Sequence, residues 1–340
     1  MNRCCIVPPY ILREILKNGD SRQQARAWST LTDSEQARGR RRVIAAIAHL
    51  AVVAPGVKRR TVYDAGNSYD LPGRLVRAEG SRRSRDKSVN EAYDGSGATY
   101  DLYWKIYQRN SIDGRGMRID STVHYGTNYD NAFWDGAQMV YGDGDGEIFT
   151  PFTKATDVIG HELTHGVNQY SAALQYQGQP GALSESFADV FGSLVKQYQR
   201  GETAEDADWL VGEGLFLPGI NARGIRSMKE PGTAYDDPLL GKDPQPGHMN
   251  SYVVTEEDNG GVHLNSGIPN RAFYEAAVRL KGHAWEKAGW IWYKTMTEKL
   301  RRDSGFRDAV THTVTAAGEL FGKNSREQKA VRAAWSCVGL

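Results

Sequence analysis

Two histidines four residues apart, His161 and His165, constrain this sequence more than any other feature, and Glu162 directly follows the first. On an α-helix this spacing projects both imidazoles from one face, so that both can bind one metal ion. Zinc suits nitrogen and oxygen ligands at tetrahedral spacing, and a catalytic zinc site has three protein ligands and one open position. Glu162 can reach a water in that position without being a ligand. We therefore expect a metal-binding helix at residues 157–167 and a third ligand, a carboxylate or a histidine, on a neighbouring element.

The best candidate for the third ligand is Glu185, in the run GALSESFADVFG at residues 181–192. Glu185 and Asp189 are also four residues apart, and the run predicts a second helix with an apolar face. Asp189 lies one turn further on, where it can accept a hydrogen bond from the free ring N–H of a ligand histidine. An HExxH match alone also fits an ordinary amphipathic helix. The paired carboxylates make a metal site the better interpretation.

These residues resemble the thermolysin family of zinc metallopeptidases, and the resemblance extends over residues 61–340. Three further stretches carry it: NAFW at 131–134 followed by GDGDG at 142–146, IRSM at 225–228, and DNGGVH at 258–263. In the family they correspond to the strand that holds the substrate backbone, the arginine segment and the second catalytic loop. Several independent motifs in the right order make the resemblance highly specific.

The resemblance implies an α+β fold, a thermolysin-like two-domain zincin with a zinc helix between a β-rich and a mainly helical domain. We expect a propeptide at residues 1–53, a β-rich N-terminal peptidase domain with the HExxH helix at 54–175, and a helical C-terminal peptidase domain at 176–340. Residue patterns predict strands at 62–64, 75–77 and 117–125, and helices at 89–107, 285–300 and 306–320.

The resemblance also implies a role for each residue of the site. One Zn²⁺ would be bound by His161, His165 and Glu185, with Asp189 behind them. The catalytic residues would be Glu162, which transfers the proton of the water to the leaving amine, His263 and Tyr176, which donate to the developing oxyanion, and Asp258, which orients the histidine. The substrate-binding residues would be Asn131, Ala132, Trp134, Phe149, Val158, Val211, Ile225 and Arg226.

Within that last group, Asn131 and Ala132 would bind the peptide main chain, and Arg226 a carbonyl on the leaving-group side. The pocket for the residue after the scissile bond would be formed by Phe149, Val158, Val211 and Ile225, and an apolar pocket favours Leu, Ile, Val or Phe there. The other histidines lack a comparable motif, and we assign no function to His49, His124, His248, His283 and His312.

Together these features predict a zinc-dependent neutral endopeptidase that hydrolyses internal peptide bonds before hydrophobic residues and is made as a self-inhibited proenzyme. Two other classes stay open. A zinc-stabilised binding protein has a closed metal site and needs no general base, so the presence of Glu162, His263 and Tyr176 argues against it. A zinc aminopeptidase needs an acidic site for the free amine of its substrate, whereas Asn131 and Ala132 suit an internal peptide chain. Activity on an N-terminally blocked peptide separates the three.

Residues 1–53 differ from the rest of the chain in charge. They contain nine Lys/Arg and four Asp/Glu, a net +5 that leaves −4 for the remainder of a chain with a total of +1. A basic piece beside an acidic body predicts that one docks on the other. Pro9 and Gly19 mark the ends of a first helix, and a capping box at 32–35 predicts the start of a second. With VPPYIL at 7–12 the segment resembles the short propeptide of the protealysin-like branch of the family, which implies an intramolecular inhibitor.

The second of these helices would carry the arginines at 38–42. They fit either a nucleic-acid surface or a solvated, partner-facing helix side, and the lack of accompanying aromatic residues favours the latter. The bonds Ala46–Ile47, His49–Leu50 and Ala51–Val52 each offer an aliphatic residue to self-cleavage. We expect peptide and protein substrates, no nucleic-acid or membrane partner, and a monomer.

Cysteine content and the start of the chain bear on its location. Cys4, Cys5 and Cys337 are the only cysteines and make no disulfide framework. Cys4 and Cys5 are either reduced thiols or a thiolate switch on the zinc. The start lacks the apolar core of a Sec signal, and residues 44–53 are too short to cross a membrane. We expect a protein that is secreted without a Sec signal peptide or stays in the cytoplasm until it is released.

Calcium is the last question that the sequence raises. The family places a double calcium site beside the zinc helices, and the matching residues here are Asp157, Asp208 and Glu213. Lys196 replaces the central acidic ligand, eleven residues or three helical turns after Glu185. Its ammonium would repel a divalent cation and pair with one of those carboxylates. Arg223 stands at an aspartate position of another calcium loop, and residues 80–88 form no acidic loop. We expect little or no bound calcium; the alternative is that other carboxylates retain an ion.

Overall fold

A five-stranded sheet lies in the first half of the molecule and helices make up most of the second half. The structure, a computed structural model, describes residues 5–44 and 54–340, with the backbone alone described for 35–44. The strands of the sheet are β1 (Arg60–Asp64), β2 (Arg74–Ala78), β3 (Ile119–Val123), β4 (Ala132–Trp134) and β5 (Met139–Tyr141). The predicted strands at 62–64, 75–77 and 117–125 are confirmed, although β3 is shorter than predicted.

The order of the strands leaves β4 at one edge of the sheet. The order is β2-β1-β3-β5-β4. The β1–β3 and β3–β5 pairs are parallel, and β1–β2 and β4–β5 are antiparallel, with Phe133 opposite Val140 in the last pair. An edge strand presents backbone N–H and C=O groups on its outer side, where an extended peptide can add to the sheet.

The body of the protein contains eight α-helices among its described residues. They are α3 (Lys87–Asp101), α4 (Thr156–Gln169), α5 (Gly178–Arg200), α6 (Asp258–Asn265), α7 (Gly267–Leu280), α8 (Ala288–Lys294), α9 (Phe306–Phe321) and α10 (Arg326–Cys337). The short strands are β6 (Leu210–Val211), β7 (Arg226–Ser227), β8 (Asp236–Asp237) and β9 (Gly241–Lys242). The π-helical turns Leu102–Ile106 and Thr295–Lys299 extend α3 and α8. The predicted helices at 89–107, 285–300 and 306–320 are therefore confirmed, the second of them beginning later, at Ala288.

Helices α4 and α5 carry the metal-binding motif and the paired carboxylates, and they touch through two glycines. A Cβ atom added at Gly192 would lie 2.4 Å from the carbonyl oxygen of Asp157, and one added at Gly160 would lie 3.0 Å from Cα of Gly192. Only glycine permits backbones to approach this closely. The close crossing brings the side chains on both sides of it within bonding distance.

The N-terminal segment forms two helices, α1 (Pro9–Asn18) and α2 (Ser21–Ile44). The first agrees with the prediction: Pro9 begins it, and the amide of Gly19 closes it by donating to the carbonyl of Ile15. The predicted start of the second helix at 32–35 is wrong. Asp20 already caps α2, since its Oδ1 accepts from the amides at 22 and 23, and the hydroxyl of Thr32 donates inside the helix to the carbonyl of Trp28.

The N-terminal segment docks on the body, as its charge predicted. Arg22 lies 3.0 Å and Arg26 3.3 Å from carboxylate oxygens of Glu147. Arg13 of α1 pairs with Glu257, just before α6. The apolar face of α1 is buried against the body. Cys4, the side chains of the arginines at 38–42 and the candidate cleavage bonds at 46–52 lie outside the described residues.

Candidate active site

The metal-ligand candidates converge where α4 and α5 face each other. The Nε2 atoms of His161 and His165 are 3.0 Å apart, and each lies 3.6 Å from an oxygen of Glu185. Their ligand atoms form the one group of three or more His, Cys, Asp or Glu side chains with metal-binding spacing in the described part of the chain. Tetrahedral zinc with ligands at about 2.0–2.2 Å requires ligand atoms about 3.3 Å apart. The donor set fits zinc.

The burial of these side chains also supports a bound cation. His161 is 0 %, Glu185 0 % and His165 4 % exposed. Glu185 Oε2 accepts no hydrogen bond from any described residue. A buried carboxylate oxygen without a donor is costly unless a cation neutralises it. A metal ion would remove that cost.

Asp189 binds the ring nitrogen of His161 that does not face the other ligands. Its Oδ1 lies 2.8 Å from His161 Nδ1, which leaves Nε2 of the ring for the metal. Arg226 donates to both oxygens of Asp189 at 2.8 Å, and Asn270 donates to Oδ2 at 2.8 Å. Burial by itself would raise the pKa of Asp189, but Arg226 and His161 hold it well below its usual range. Sequence reasoning missed Asn270, which is a single polar residue in the buried part of α7 without a motif of its own.

Glu162 is anchored to the edge strand. Its Oε2 accepts a hydrogen bond from the amide of Trp134 in β4 at 2.9 Å, and the residue is fully buried. Because Glu162 follows His161 on α4, this bond connects the metal-ligand helix to the strand. The carboxylate is thereby held between the ligands and β4, where a peptide would lie.

His263 and Tyr176 lie on the other side of the ligand group. The Tyr176 hydroxyl donates to Glu185 Oε1 at 2.6 Å and is 3.3 Å from His263 Nε2. Asp258 accepts from His263 Nδ1 at 2.7 Å. Burial by itself would lower the pKa of His263, but Asp258 and Glu185 outweigh it and raise that pKa.

The loop before His263 needs an uncommon backbone conformation. Asp258 and Asn259 have φ of 50° and 53°, and the two following glycines also have positive φ. Asp258 in this conformation caps the turn, since its Oδ2 also accepts from the amide of His263. The side-chain amide of Gln245 fixes the backbone of His263 on its carboxyl side by donating to the His263 carbonyl at 2.6 Å. Gln245 is a second residue that sequence reasoning missed.

The predicted apolar pocket residues are all fully buried, and two of them adjoin Arg226. They are Phe149, Val158, Val211 and Ile225. Val211 and Arg226 are paired in the β6–β7 ribbon, and the amide of Ile225 donates to the carbonyl of Val211 at 2.8 Å. Phe149 in turn packs against Phe152, with ring centroids 5.6 Å apart.

The N-terminal segment occupies the groove between β4 and Arg226. The amide of Ile6 donates to the carbonyl of Ala132 at 3.2 Å. Arg226 Nη1 donates to the carbonyl of Ile6 at 3.0 Å. Asn131 accepts from the amide of Val7 at 2.9 Å and donates to its carbonyl at 3.3 Å. The backbone of Ile6 and Val7 is thus bound by three residues that the sequence analysis assigned to the substrate.

The cysteine at the start of this segment is buried. Cys5 packs in a small cluster with Tyr125, Tyr129, Phe133 and Val140. Within the described residues its thiol is not part of the metal-ligand group. The thiolate switch therefore gains no support from Cys5, and Cys4 lies outside the described residues.

Lys196 lies between α4 and α5 on the far side of the glycine contact. Its Nζ is 3.0 Å from Asp157 Oδ2, 2.8 Å from Asp208 Oδ1 and 2.7 Å from the carbonyl of Leu210. Burial by itself would lower the pKa of Lys196, but the two carboxylates raise it. Glu213 pairs instead with Arg200 at 3.0 Å.

A further charged cluster involves His124, to which the sequence analysis assigned no function. Its Nδ1 lies 2.8 Å from Asp143 and its Nε2 2.8 Å from Asp86. Hydrogen bonding to Asp143 and Asp86, opposed by partial burial, raises the pKa of His124 to about 9. Asp86 also caps α3, so His124 joins this helix to the loop at 142–146.

Two histidines and a glutamate that converge beside a buried, non-ligand glutamate define the site of a metallopeptidase. The chain belongs to the thermolysin metallopeptidase family. Residues 54–169 match the family's catalytic domain, and residues 172–340 match its alpha-helical domain.

Full-length relatives agree with this assignment. The chain is 51% identical to an extracellular metalloprotease of Pectobacterium carotovorum subsp. carotovorum, over 99% of this chain and 96% of that protein. It is 48% identical to Protease PrtS of Photorhabdus sp. (strain Az29), over 98% and 91% of the two chains. Among solved structures, the precursor of protealysin, a metalloproteinase from Serratia proteamaculans, matches with a TM-score of 0.91 and 52% identity over 99% of each chain. The predicted family and the thermolysin-like fold class are confirmed.

The lengths and hydropathies of the helices bear on membrane insertion. Across residues 5–44 and 54–340, the helices are all too short or too polar to cross a membrane.

Proposed function

We propose that this chain is a zinc-dependent neutral endopeptidase that cleaves internal peptide bonds on the amino side of apolar residues and is made as a proenzyme. The observation that carries the proposal is the convergence of three ligand side chains with Glu162 and with the donors His263 and Tyr176. A purely structural zinc site is closed and needs neither a base nor donors. Zinc bound by His161, His165 and Glu185 would supply a more acidic water and a polarised substrate carbonyl.

Glu162 would act as the general base and then as the general acid. It is next to a ligand residue in sequence, and the amide of Trp134 fixes its Oε2 at 2.9 Å. From this position it can take the proton of the attacking water and deliver it to the leaving amine. Such proton transfer contributes about 10²–10⁴-fold to the rate.

His263 and Tyr176 would stabilise the oxyanion that forms on the substrate carbonyl. Both are buried beside Glu185. The raised pKa of His263 favours the imidazolium form, which is a stronger donor. Asp258 fixes the ring through its 2.7 Å contact with Nδ1 and thereby acts as a positioning residue. Loss of one oxyanion donor typically costs about 10²–10³ in rate.

The substrate would add to the edge of the sheet as an extended strand. Asn131 and Ala132 bind the backbone of Ile6 and Val7 in the described structure, and Arg226 binds the carbonyl of Ile6. These contacts support the same roles towards a substrate. The buried apolar residues beside Arg226 support a preference for an apolar residue after the scissile bond, and such pockets discriminate by only about 1–3 kcal/mol per methylene.

The N-terminal segment would inhibit the enzyme by occupying this groove. Ile6 and Val7 are 0 % and 1 % exposed, and they use the hydrogen-bonding groups of Asn131, Ala132 and Arg226. A substrate cannot bind these groups until the segment leaves. The likeness to the precursor of protealysin supports a proenzyme with residues 1–53 as its propeptide, 54–175 as the N-terminal domain and 176–340 as the C-terminal domain. The extracellular metalloprotease among the relatives supports release of this chain from the cell as well.

The catalytic proposal is tested with two glutamate variants of the mature enzyme. Glu162→Ala should retain zinc, because Glu162 is not a ligand, and lose at least about 100-fold of its activity on an N-terminally blocked peptide. Glu185→Ala should lose zinc as well. Zinc content is measured by atomic absorption. Undiminished turnover in a zinc-loaded Glu162→Ala variant would contradict the mechanism.

Removal of the N-terminal segment is tested on the purified full-length chain of 37.7 kDa. Wild type should shorten by residues 1–53 on incubation, whereas Glu162→Ala should stay full length. If both shorten alike, the enzyme does not process itself. If the full-length chain already has the activity of the shortened one, the segment is not an inhibitor.

A further inference from the structure

The N-terminal segment lies along β4 in a defined direction and register. Ile6 bonds to Ala132, and Val7 bonds to Asn131. The residue number rises along the segment while it falls along the strand, so the two run antiparallel. The sheet edge therefore fixes which peptide bond of the segment comes next to the catalytic groups.

In this register Cys5 lies opposite Phe133. Their membership of one buried cluster agrees with it. The carbonyl of Cys5 precedes the amide of Ile6, which is bound to Ala132. The Cys5–Ile6 peptide bond therefore lies beside the middle of β4.

Glu162 is held at the same part of the strand. The amide that binds its Oε2 belongs to Trp134, which is two residues, or about 7 Å, along β4 from Ala132. This is the direction from which Cys5 enters the groove. The general base is thus on the Cys5 side of the amide of Ile6.

Arg226 links the carbonyl of Ile6 to the metal-ligand group. Arg226 donates to the carbonyl of Ile6 at 3.0 Å and also binds Asp189. Asp189 in turn holds His161 Nδ1 at 2.8 Å. Because Arg226 is proposed above to bind a carbonyl on the leaving-group side of the scissile bond, its contact with Ile6 gives Ile6 the place of the first residue after that bond.

The side chain of Ile6 suits that place. It is aliphatic and fully buried, and Val211 and Ile225, which adjoin Arg226, are apolar and buried. The segment consequently satisfies both the backbone and the side-chain requirements of the site at one bond, Cys5–Ile6.

We propose that the Cys5–Ile6 bond is a cleavage site at which the enzyme trims its own N-terminal segment before the rest of that segment leaves. The proposal rests on the proposed peptidase function. The oxygen of a water bonds to the carbonyl carbon of Cys5, and the carbon–nitrogen bond to Ile6 breaks. Glu162 takes one proton of the water and gives it to the nitrogen of Ile6. The products are a peptide that ends in the carboxyl group of Cys5 and a chain that begins at the amine of Ile6.

The trimmed segment stays bound because its other contacts do not involve the broken bond. The amide of Asp130 donates to the hydroxyl of Thr30 at 3.3 Å, and Ser34 shares a 2.8 Å hydrogen bond with Tyr129. The apolar face of α1 is buried against the body. Trimming is therefore separable from removal of residues 1–53. Because Ile6 already lies in the groove of its own molecule, we expect the bond to be cleaved within one molecule.

Intact-mass spectrometry of the zinc-loaded full-length chain measures trimming directly. Wild type should lose the residues ahead of Ile6 at a rate that does not depend on protein concentration. In a mixture with an isotope-labelled Glu162→Ala chain, only the unlabelled wild type should be trimmed. Equal trimming of the labelled chain, or a rate proportional to concentration, would overturn cleavage within one molecule.

Substitutions at the bond test the register. Ile6→Asp should slow trimming at least about 100-fold, because it places a carboxylate in an apolar site. Ile6→Leu keeps an apolar residue and should be trimmed, and so should Cys5→Ser, which preserves the backbone. Circular dichroism shows whether each variant is folded. Trimming of a folded Ile6→Asp chain at the wild-type rate, or at a bond other than Cys5–Ile6, would overturn the assignment.

Hydrogen exchange tests the register without any catalytic step. In the zinc-free Glu162→Ala chain the amides of Ile6 and Val7 should exchange at least about 100-fold more slowly than in an unfolded peptide, since both are bonded and buried. Asn131→Ala should release the amide of Val7 more than that of Ile6. Rapid exchange of both amides in the parent chain would overturn the register. If the mature enzyme cleaves a blocked peptide while the chain keeps its residues ahead of Ile6, the trimming proposal fails and the proposed function stands.

Discussion

Helices α4 and α5 build two charged sites, one on each side of the contact between Gly160 and Gly192, and the two sites differ in where their positive charge comes from. On one side His161, His165 and Glu185 present three metal ligands, and within the described residues Glu185 lies at ion-pair distance from histidines alone. On the other side Asp157 and Asp208 surround the ammonium of Lys196 at 3.0 and 2.8 Å.

The difference teaches how one pair of helices can hold both an open and a closed site. Buried carboxylates need a positive partner, because removal of an unpaired charge from water costs several kcal/mol. At the Lys196 site the positive partner is the lysine ammonium group of the chain itself. This group also donates a hydrogen bond to the carbonyl of Leu210. At the histidine site a metal ion from solution would be the partner, and it would bring an exchangeable coordination position with it.

The largest effect should come from removing a ligand of the open site. Glu185→Gln should lower zinc affinity at least about 100-fold. Mutation of a residue that only hydrogen-bonds to a metal ligand already lowers metal affinity by about 10–100-fold, and Glu185 is a ligand itself. Activity on the blocked peptide should fall with the zinc content. Lys196→Met is the control, and its zinc content per folded molecule should equal that of wild type. Loss of zinc in the Lys196→Met variant would show that the two sites are not independent.

At the closed site, Lys196→Met should destabilise the fold by about 3–5 kcal/mol, because it leaves Asp157 and Asp208 buried without their cation. Equilibrium unfolding in urea measures the change. Arg200→Met provides the comparison: its pairs with Asp208 and Glu213 lie at the surface, so the loss should stay below about 1 kcal/mol. Similar losses in both variants would contradict the view that Lys196 neutralises a buried site.

Replacing the lysine of the closed site by a carboxylate tests whether a metal ion can take over the role of the ammonium group. Lys196→Glu should turn the closed site into one that needs calcium, and calcium at 100 times its dissociation constant would stabilise the variant by about 2.7 kcal/mol. The melting temperature of wild type should not respond to calcium. Zinc-loaded proteins are compared in millimolar calcium and in a calcium-selective chelator. A drop of several degrees in wild type on calcium removal would show that the lysine has not replaced the ion.

The smallest effect is expected at His124, which also joins two carboxylates with a cation that belongs to the chain. Its pKa is raised to about 9 in the folded protein, above about 6.5 in the unfolded chain. Its stabilising contribution is therefore complete below pH 6.5 and is lost as the pH rises to about 9. The cluster is partly exposed, so we expect about 1 kcal/mol. His124→Gln should lower the urea midpoint at pH 6 and have little effect at pH 10, and His312→Gln in α9 serves as the control. An equal loss at both pH values would contradict the linkage.

The sequence predicted the elements of the site better than the start of α2. Spacings of four residues placed His161 and His165 on one helix and Glu185 and Asp189 on another, because helical geometry fixes such neighbours locally. The capping box at 32–35 was a local signal as well, but Asp20 caps the helix twelve residues earlier. Once a helix has begun, continuation costs less than a new start, and the later signal has no effect.

Residues without a motif could not be found in this way. Asn270 and Gln245 support Asp189 and His263 through single hydrogen bonds across 81 and 18 residues of sequence. His124 gains its importance from Asp86 and Asp143, which approach it from two different elements. An isolated polar residue in the sequence gives no sign of such partners. The domain boundaries and the roles of the site residues stay predictions for the experiments above.

The sequence by itself determined the chemistry available to each helix: ligand spacing on α4, paired carboxylates and a lysine on α5, and a basic segment ahead of an acidic body. Only the tertiary structure decided which of these groups meet. The sequence allowed Lys196 to pair with Asp157, Asp208 or Glu213, and the crossing of the helices selected the first two. Likewise, the sequence predicted that the N-terminal segment docks, but only the edge of β4 set the register that brings Cys5–Ile6 to the site. Residue spacing determines which side chains share a face of one helix, and net charge determines only that two parts of the chain attract each other. Strand register and the choice of ion-pair partners depend instead on backbone positions that many distant residues fix together.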